Sequence, residues 1–346
     1  MANIATFGEI MLRLSPPGKE LLFQSPRLGA AFGGAEANVA VSLAILGHRS
    51  RWISVVPANP VGEAALGELR RYGVDVGAVV RGGRRLGIYF AETGANERPS
   101  QVVYDREASG LAEAGPGDID WTAAFDGMNI FHTTGITPAL SASAAALAVE
   151  AVQAARAKKM MVSVDLNYRA KLWTYGRRAP EIMREIAAQA DLVIGNEEDC
   201  QKALGIGAGT AAAADVTAGT LDVEAYEDLT AAVMSAFPNL SGVAVTLRES
   251  LSADWNRWSA VLRNTAGFLA GPTYEIRSIV DRIGTGDAFA AGLIHGLTSF
   301  KTDTEALAFA VAAGALKHSV PGDWNLSAEK DILALVKGDR SGRVRR

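Results

Sequence analysis

The fold of this chain depends on one stretch: Val280-Asp281-Arg282-Ile283-Gly284-Thr285-Gly286-Asp287-Ala288-Phe289-Ala290-Ala291-Gly292. Polar and apolar residues alternate before it, from 273 to 280, and small apolar residues follow, which predicts a strand, a tight turn and a buried helix. The two glycines let backbone N–H groups approach an anion at the positive end of that helix, and the same end should hold Asp287 as a carboxylate. A phosphate cradle beside a carboxylate base suits phosphoryl transfer to a hydroxyl. An Asp that merely caps a Gly-rich turn would give the same pattern.

The composition is that of one large α/β domain, residues 1–346. Hydrophobic residues make up 49% of the chain and glycines number 36, which supports a large core and many tight turns. The formal net charge of -4 argues against non-specific binding to nucleic acid. The single cysteine, Cys200, excludes disulfides within the chain and fits a reducing compartment. Without a basic leader or a run long enough to cross a membrane, we expect a cytoplasmic protein with no membrane partner.

Strand-like and helix-like segments alternate regularly from about residue 118. This order predicts a mostly parallel sheet covered by helices on both faces, with ligands beyond the carboxyl ends of the strands. The predicted strands are 4–14, 51–56, 128–132, 160–166, 192–195, 242–247, 258–263 and 273–280. The predicted helices, besides the one after the Gly-Thr-Gly-Asp turn, are 37–46, 61–72, 141–159, 180–190, 197–204, 224–236, 304–317 and 328–336.

Two regions depart from that alternation. Residues 86–91 and 101–105 read as strands with no helix between them, so they cannot form a parallel βαβ unit. With residues 10–32 they predict a small antiparallel sheet, which we interpret as a lid with strands from about 10–32 and 86–110. Its uncovered edge favours a homo-oligomer through strand pairing. The Ala/Gly/Thr-rich segment 205–222 is expected to be a surface insertion. Its glycines follow a helix rather than a strand, so they are no dinucleotide fingerprint, and the absence of such a fingerprint after the first strand argues against a nicotinamide dehydrogenase.

A second glycine turn precedes the predicted helix 37–46. It reads Gly33-Gly34-Ala-Glu-Ala-Asn38. This turn near the start and Gly-Thr-Gly-Asp near the end together resemble the ribokinase-like (PfkB) family of sugar kinases, over nearly the whole chain. The resemblance implies a ribokinase-like α/β fold and the use of ATP and Mg²⁺.

The resemblance also implies roles at the catalytic and nucleotide sites. Asp287 matches the base that takes the proton of the accepting hydroxyl, and the anion hole matches Gly284, Thr285 and Gly286. The remaining nucleotide-site positions are Asn196, Thr246 and Arg248. Mg²⁺ is expected near Asp199 or Glu198, directly or through water, since the Asn-x-x-Glu motif of the family reads Asn-x-x-Asp here.

The acceptor is indicated by a closer resemblance, to the kinases of 2-keto-3-deoxygluconate. It rests on Tyr104–Arg106, Gly135–Ser141, Asp165–Arg169 and Pro321–Asn325. Such a substrate is a sugar acid, and the planar fork of an arginine suits its carboxylate. Arg106 and Arg169 are therefore expected to point into one pocket. The implied sugar-contacting residues are Gly33, Gly34, Asn38, Tyr89, Tyr104, Arg106, Asn167, Arg169 and Asp323.

The sequence thus favours an ATP-dependent kinase of the C6 hydroxyl of 2-keto-3-deoxygluconate, with alternatives left open. A kinase of fructose or another neutral sugar would share the same fold, and a catalytically silent sugar-binding protein would share the pocket. Taken alone, each arginine would more often be a surface ion-pair partner, and Tyr89 and Tyr104 would be core residues of the lid. Asn196–Asp199 would be a simple helix cap.

Overall fold

The computed structural model describes residues 1–207 and 223–339. Most of the predicted 205–222 insertion therefore lies outside the described residues. The strands are β1 (Asn3–Phe7), β2 (Met11–Ser15), β3 (Gly29–Gly33), β4 (Arg49–Ile53), β5 (Val55–Val56), β6 (Val80–Arg81), β7 (Gly87–Glu92), β8 (Gln101–Asp105), β9 (Ile130–Thr134), β10 (Met161–Asp165), β11 (Leu192–Gly195), β12 (Gly242–Ser252), β13 (Trp255–Asn264), β14 (Gly267–Ala270) and β15 (Tyr274–Arg277). The helices are α1 (Ala35–Ile45), α2 (Pro60–Arg71), α3 (Gly110–Glu113), α4 (Trp121–Ala124), α5 (Ala142–Ala157), α6 (Ala179–Ala187), α7 (Glu197–Leu204), α8 (Val223–Ala236), α9 (Thr285–Ser299), α10 (Asp303–Lys317) and α11 (Glu329–Val336).

The central sheet has the strand order β14-β13-β12-β11-β10-β9-β1-β4, and β15 also pairs with β13. Neighbours from β12 to β4 are parallel, whereas β13, β14 and β15 add an antiparallel end. The mostly parallel sheet expected from the strand–helix alternation is confirmed. Among the described helices, none is long and apolar enough to pass through a bilayer.

Helices cover both faces of this sheet. Leu192 and Val193 of β11, neighbours in the chain, belong to different hydrophobic clusters because successive strand side chains point to opposite faces. Val193 packs in the cluster that holds Ala148 of α5 and Met183 of α6. Leu192 packs in the cluster of α1, α9 and α10. The α9 helix, which carries Asp287, is thus anchored by burial against one face of the sheet.

The lid is a separate four-stranded sheet with the order β3-β2-β7-β8. The pairs β2·β3 and β7·β8 are antiparallel, as expected, but the central pair β2·β7 is parallel. The reason is the path of the chain. Between the two hairpins it passes through the central sheet and α2, and it re-enters the lid in its original direction.

Two predicted strands end differently from expectation. The predicted strand 4–14 is two strands, because the chain leaves the central sheet after β1 and enters the lid as β2. At this departure a Cβ on Gly8 would lie 2.0 Å from the carboxyl of Glu36, which is buried and accepts hydrogen bonds from Thr134 and Thr137. The predicted strand 273–280 ends at Arg277, because Ser278 adopts a left-handed conformation with φ of 58°.

Candidate active site

The turn at the start of α9 is built for close backbone approach. Gly284 is the N-cap residue with φ of 84°, and a Cβ there would lie 2.2 Å from the backbone oxygen of Asp323. A Cβ on Gly286 would instead meet no atom within 4 Å. The first N–H groups of a helix have no intrahelical acceptor and carry partial positive charge. The predicted anion hole, residues 284–286, therefore has a rigid side toward Asp323 and an open side at Gly286.

Asp287 lies in the first turn of α9 and is 8% exposed. Burial raises its pKa to about 7, and the nearby carboxylates of Asp323 and Glu36 add to the rise. The hydrogen bond from Asn38 and the charge of Arg169 act in the opposite direction. The expectation that the helix terminus favours the ionised form of Asp287 stays a prediction, and the loss of hydration on burial acts against it. A carboxyl with a pKa near neutrality is well matched to accepting a proton.

Asn38 connects the two glycine turns. Its Nδ2 donates to Oδ2 of Asp287 over 2.5 Å, and its Oδ1 accepts from the backbone N–H of Gly34 over 3.2 Å. Both ends of the amide are thus bound within the protein. The sugar contact expected of Asn38 stays a prediction, and the structure adds a second role, the orientation of Asp287.

The glycines of the first turn are required by close packing. A Cβ on Gly33 would lie 2.1 Å from Oδ2 of Asp323, and one on Gly34 would lie 2.0 Å from the backbone oxygen of Glu9. Asp323 therefore touches both turns, Gly33 with its carboxyl and Gly284 with its backbone.

Arg13 and Asp281 were missed by the sequence argument. Arg13 of β2 donates from Nη1 to Oδ1 of Asp323 over 2.8 Å and pairs through Nη2 with Oδ2 of Asp281 over 2.7 Å. Tyr89 of β7 donates to the same Oδ1 of Asp323 over 2.6 Å. These side chains are buried, so the network joins the lid firmly to the loops around α9. The available signal was Arg13 itself, a charged residue on the same strand face as buried Met11.

The two predicted carboxylate-binding arginines have different surroundings. Arg106 is buried, donates to Glu9, and lies with its guanidinium carbon 5.3 Å from the ring centroid of Tyr104. Its Nε has no hydrogen-bond partner among the described residues. Arg169 is exposed and donates to the backbone oxygen of its neighbour, Tyr168. Its charge favours the ionised form of Asp287, so it lies near enough to the predicted base to act on it electrostatically. That both arginines face one ligand stays a prediction.

Asn167 has the marks of a functional residue. It is a buried non-glycine residue with φ of 34°, and its Oδ1 has no hydrogen-bond partner within the described part of the chain. Backbone strain and an unpaired buried acceptor are each costly, and both persist mainly where a ligand uses them. Its backbone N–H donates to Asp165. Burial raises the pKa of Asp165, and the charges of Asp199 and Asp287 add to the rise.

The Asn196–Asp199 segment is a capping box at the start of α7. Oδ1 of Asn196 accepts from the backbone N–H of Asp199 over 2.9 Å, and Oδ2 of Asp199 accepts from that of Asn196 over 2.8 Å. Oδ1 of Asp199 also accepts from the backbone N–H of Tyr168. Both carboxylate oxygens of Asp199 are thus engaged, whereas Glu198 is exposed.

This donor set decides what kind of Mg²⁺ site fits. Within residues 1–207 and 223–339, no three His, Cys, Asp or Glu side chains form a group that could hold a metal. Mg²⁺ in kinases is held mainly by water and substrate phosphates, with few protein ligands. Glu198, acting through water, fits that arrangement better than Asp199 does.

Thr246 and Arg248 lie where the antiparallel end of the sheet begins. Oγ1 of Thr246 donates to the backbone oxygen of Gly195 over 3.4 Å, which places β12 beside the start of α7. Arg248, two residues further along β12, is exposed, and the charges of Arg169 and Asp199 both act on it. Arg248 and Arg169 thus lie near enough to each other and to Asp199 for their charges to interact.

Comparisons with known proteins identify the relatives of this chain. A family model described as pfkB family carbohydrate kinase matches residues 1–330. A crystal structure of 2-dehydro-3-deoxygluconokinase from Thermotoga maritima is 41% identical, with a TM-score of 0.91, covering 98% of this chain and 100% of that one. The 2-dehydro-3-deoxygalactonokinase of Haloferax volcanii is 31% identical over 99% of this chain and 98% of its own. The 2-dehydro-3-deoxygluconokinase of Bacillus subtilis is 28% identical over 96% of this chain and 94% of its own.

Proposed function

Because the chain belongs to the PfkB family of carbohydrate kinases, we propose that it transfers the γ-phosphoryl group of ATP to a 2-keto-3-deoxy sugar acid. The acceptor is the C6 hydroxyl of 2-keto-3-deoxygluconate, also called 2-dehydro-3-deoxygluconate, and the products are its 6-phosphate and ADP. The observation that carries this proposal is the buried carboxyl of Asp287 next to the open backbone at Gly286.

Asp287 removes the proton of the attacking hydroxyl. Asn38 holds Oδ2 of this carboxyl and leaves Oδ1 for the acceptor. With a pKa of about 7, the carboxyl is ionised in a useful fraction of molecules near neutral pH and still basic enough to take a proton. Its fixed orientation brings the hydroxyl oxygen into line with the transferring group.

The turn at residues 284–286 stabilises the charge of the phosphoryl group during transfer. Its N–H groups are fixed in a water-poor site, so they need no reorganisation as charge develops. Bound Mg²⁺ supplies additional neutralisation of the phosphates. On the protein side, Glu198 would hold the metal through water, while Asn196, Thr246 and Arg248 border the nucleotide.

The arginines support a sugar acid over a neutral sugar. Arg106 keeps an Nε that has no partner among the described residues in a buried position, and Arg169 is exposed with its charge acting on Asp287. A carboxylate on the substrate would satisfy such donors by charge-assisted hydrogen bonds, whereas fructose or ribose offers no group of that kind. Tyr89, Tyr104, Asn167 and Asp323 complete the proposed sugar pocket.

The C4 epimer is a second candidate substrate. A 2-dehydro-3-deoxygalactonokinase is among the similar proteins, at 31% identity over nearly the full length. The carboxylate and the C6 hydroxyl are common to the two acids, so the residues described above suit both.

The test is an ADP-release assay with the purified protein and ATP on 2-keto-3-deoxygluconate, 2-keto-3-deoxygalactonate, fructose, ribose and adenosine. We expect kcat/KM for at least one keto-deoxy acid to exceed that for fructose by about 100-fold or more, the worth of one or two charge-assisted hydrogen bonds. Equal or better turnover of a neutral sugar would overturn the sugar-acid assignment. No turnover of any of these sugars would favour the silent binding protein.

A further inference from the structure

Lys317, the last residue of α10, is fully buried. Its Nζ donates to the backbone oxygen of Val320 over 2.9 Å. A buried ammonium is costly unless neighbouring charges compensate for its lost hydration. Burial accordingly lowers the pKa of Lys317, while the carboxylates of Asp281, Asp323 and Asp287 act to keep it charged. A buried ammonium at this position therefore suggests a role in the neighbouring anion hole.

The end of the Lys317 side chain lies directly behind the turn of the anion hole. A Cβ on Gly284 would lie 3.4 Å from Cε of Lys317, with no side chain between them. The loop that follows Lys317 is bonded to the segment before the turn: the backbone N–H of Val280 donates to the oxygen of His318 over 2.9 Å. The N–H of Gly322 donates to Oδ2 of Asp281. The ammonium is thus fixed with respect to the turn.

The charges around the turn are unbalanced without Lys317. Asp281, Asp323 and Asp287 are three acids, and Arg13 is the other cation among the main charges that act on Lys317. Arg169 is a further cation, and its charge acts on Asp287. Arg13 is shared between Asp281 and Asp323. A phosphoryl group approaching this turn would meet excess negative charge if the ammonium were absent. In a site of low polarity that repulsion is weakly screened.

We propose that Lys317 is a positioning residue that supplies a fixed positive charge behind the anion hole, supporting the phosphoryl group through the turn at Gly284 and keeping Asp287 ionisable. The proposal rests on the proposed function, since it needs phosphoryl transfer at this turn. Lys317 does not touch the substrate; it acts through the field it places on the turn and on Asp287.

The test compares Lys317→Met, which keeps the length and removes the charge, with Lys317→Arg, which keeps the charge. Val311→Ala, a buried change on the same helix with no charge, is the matched control for destabilisation. We expect Lys317→Met to lower kcat by about 10- to 100-fold with a smaller change in KM for the sugar. Removing a nearby cation disfavours the Asp287 carboxylate, so the acid limb of the kcat/KM profile should move to higher pH.

Rescue separates a charge effect from a packing effect. In Lys317→Ala, added methylammonium should restore part of kcat, and Lys317→Arg should keep the acid limb near its original pH. A Lys317→Met protein with unchanged kcat and acid limb would overturn the proposal. The proposal would also be overturned if Lys317→Met lost activity as Val311→Ala does, with no shift of the acid limb and no rescue of Lys317→Ala by methylammonium. If Lys317→Met does not fold, Lys317→Ala with methylammonium and Lys317→Arg still test the proposal.

The Asp287→Asn variant tests the proposed function separately. Normal turnover by that variant would remove the assigned base, whatever Lys317 does. Loss of turnover in Asp287→Asn with full activity in Lys317→Met would remove only the proposal on Lys317. All variants are assayed on whichever sugar the wild-type protein phosphorylates best.

Discussion

The amide nitrogen of Asn38 and the carboxyl of Asp287, 249 residues apart in the chain, are 2.5 Å apart in the fold. The bond joins the first helix of the domain to the helix that opens with the anion hole. The first glycine turn therefore orients the carboxyl that we propose as the base at the second.

Replacement of Asp287 by Asn should lower kcat by about 10²- to 10⁴-fold, the usual worth of a positioned base. The amide keeps the size of the side chain, so KM for ATP should change little. Steady-state kinetics with ADP detection checks this. Turnover within about threefold of wild type would show that the hydroxyl loses its proton elsewhere.

Activity should fall on the acid side of neutrality. Asp287 must be ionised to act, and its pKa is about 7, so kcat/KM should decline as pH drops below that value. The groups that act on Asp287 include Asp323 and Glu36, which raise its pKa, and Asn38 and Arg169, which lower it. A pH–rate profile that stays flat down to pH 5 would contradict this prediction.

Asn38→Leu should move that acid limb upward in pH. The bond from Asn38 stabilises the carboxylate form of Asp287, so its loss raises the pKa of Asp287 and reduces the ionised fraction at pH 7. Near pH 9, where Asp287 is ionised in both proteins, the difference in kcat should narrow to the cost of the lost orientation of the carboxyl. A matched control is Ser50→Ala, which removes another buried hydrogen bond to α1, from Ser50 to the oxygen of Ala40; its acid limb should not move.

The same raised pKa implies a cost in stability. Between about pH 4 and 7 the folded protein binds a proton at Asp287 that the unfolded chain does not, so this group destabilises the fold progressively as pH rises through that window. Above pH 7 the penalty is complete, on the order of a few kcal/mol at about 1.4 kcal/mol per pKa unit. Asp287→Asn should therefore raise Tm at pH 8 more than at pH 4.5. Calorimetry at both pH values tests this, and an equal change in Tm would refute it.

Arg169→Ala should raise KM for the keto-deoxy acid by about 10- to 100-fold, and raise it much less for any neutral sugar that is turned over. Arg178→Ala is the control, since Arg178 forms an exposed ion pair with Glu181 on α6. Equal effects of Arg169→Ala on acid and neutral sugars would argue against recognition of the carboxylate.

Arg13→Met should destabilise the protein by about 3–5 kcal/mol, because it leaves Asp281 and Asp323 buried without their shared cation. The exposed pair of Arg257 and Glu249 is the comparison, and Arg257→Met should cost less than about 1 kcal/mol. Urea denaturation measures both. A small effect at Arg13 would mean that the lid and core are not held by this network.

Local spacing was enough to predict much of the fold and part of the site. The Gly-Thr-Gly-Asp turn, the helix after it and the strand–helix alternation all depend on residues close in sequence, and the structure has α9 and the parallel sheet as expected. The break between β1 and β2 was not predictable in the same way. Both halves of that segment are apolar, and the close packing of Glu36 on Gly8, where the chain leaves the central sheet, is a contact between residues far apart in sequence.

The buried charges could not be predicted from sequence patterns. Arg13 meets Asp323 only because the lid folds back over the end of the chain, 310 residues away. Lys317 ends an alanine-rich helix, where a basic residue usually means a solvated helix terminus. Its full burial follows from the packing of the loop after α10 against the anion-hole turn, which no periodicity shows.

Asp323 has one face on each glycine turn, its carboxyl against Gly33 and its carbonyl against Gly284. Asp323 is therefore a poor position for substitutions meant to change the sugar that this enzyme accepts. A larger or differently shaped residue there would shift the peptide at 323, and with it the wall of the proposed anion hole at Gly284. Changes meant for acceptor choice are better placed on the exposed strand β8, whose alteration leaves that wall alone.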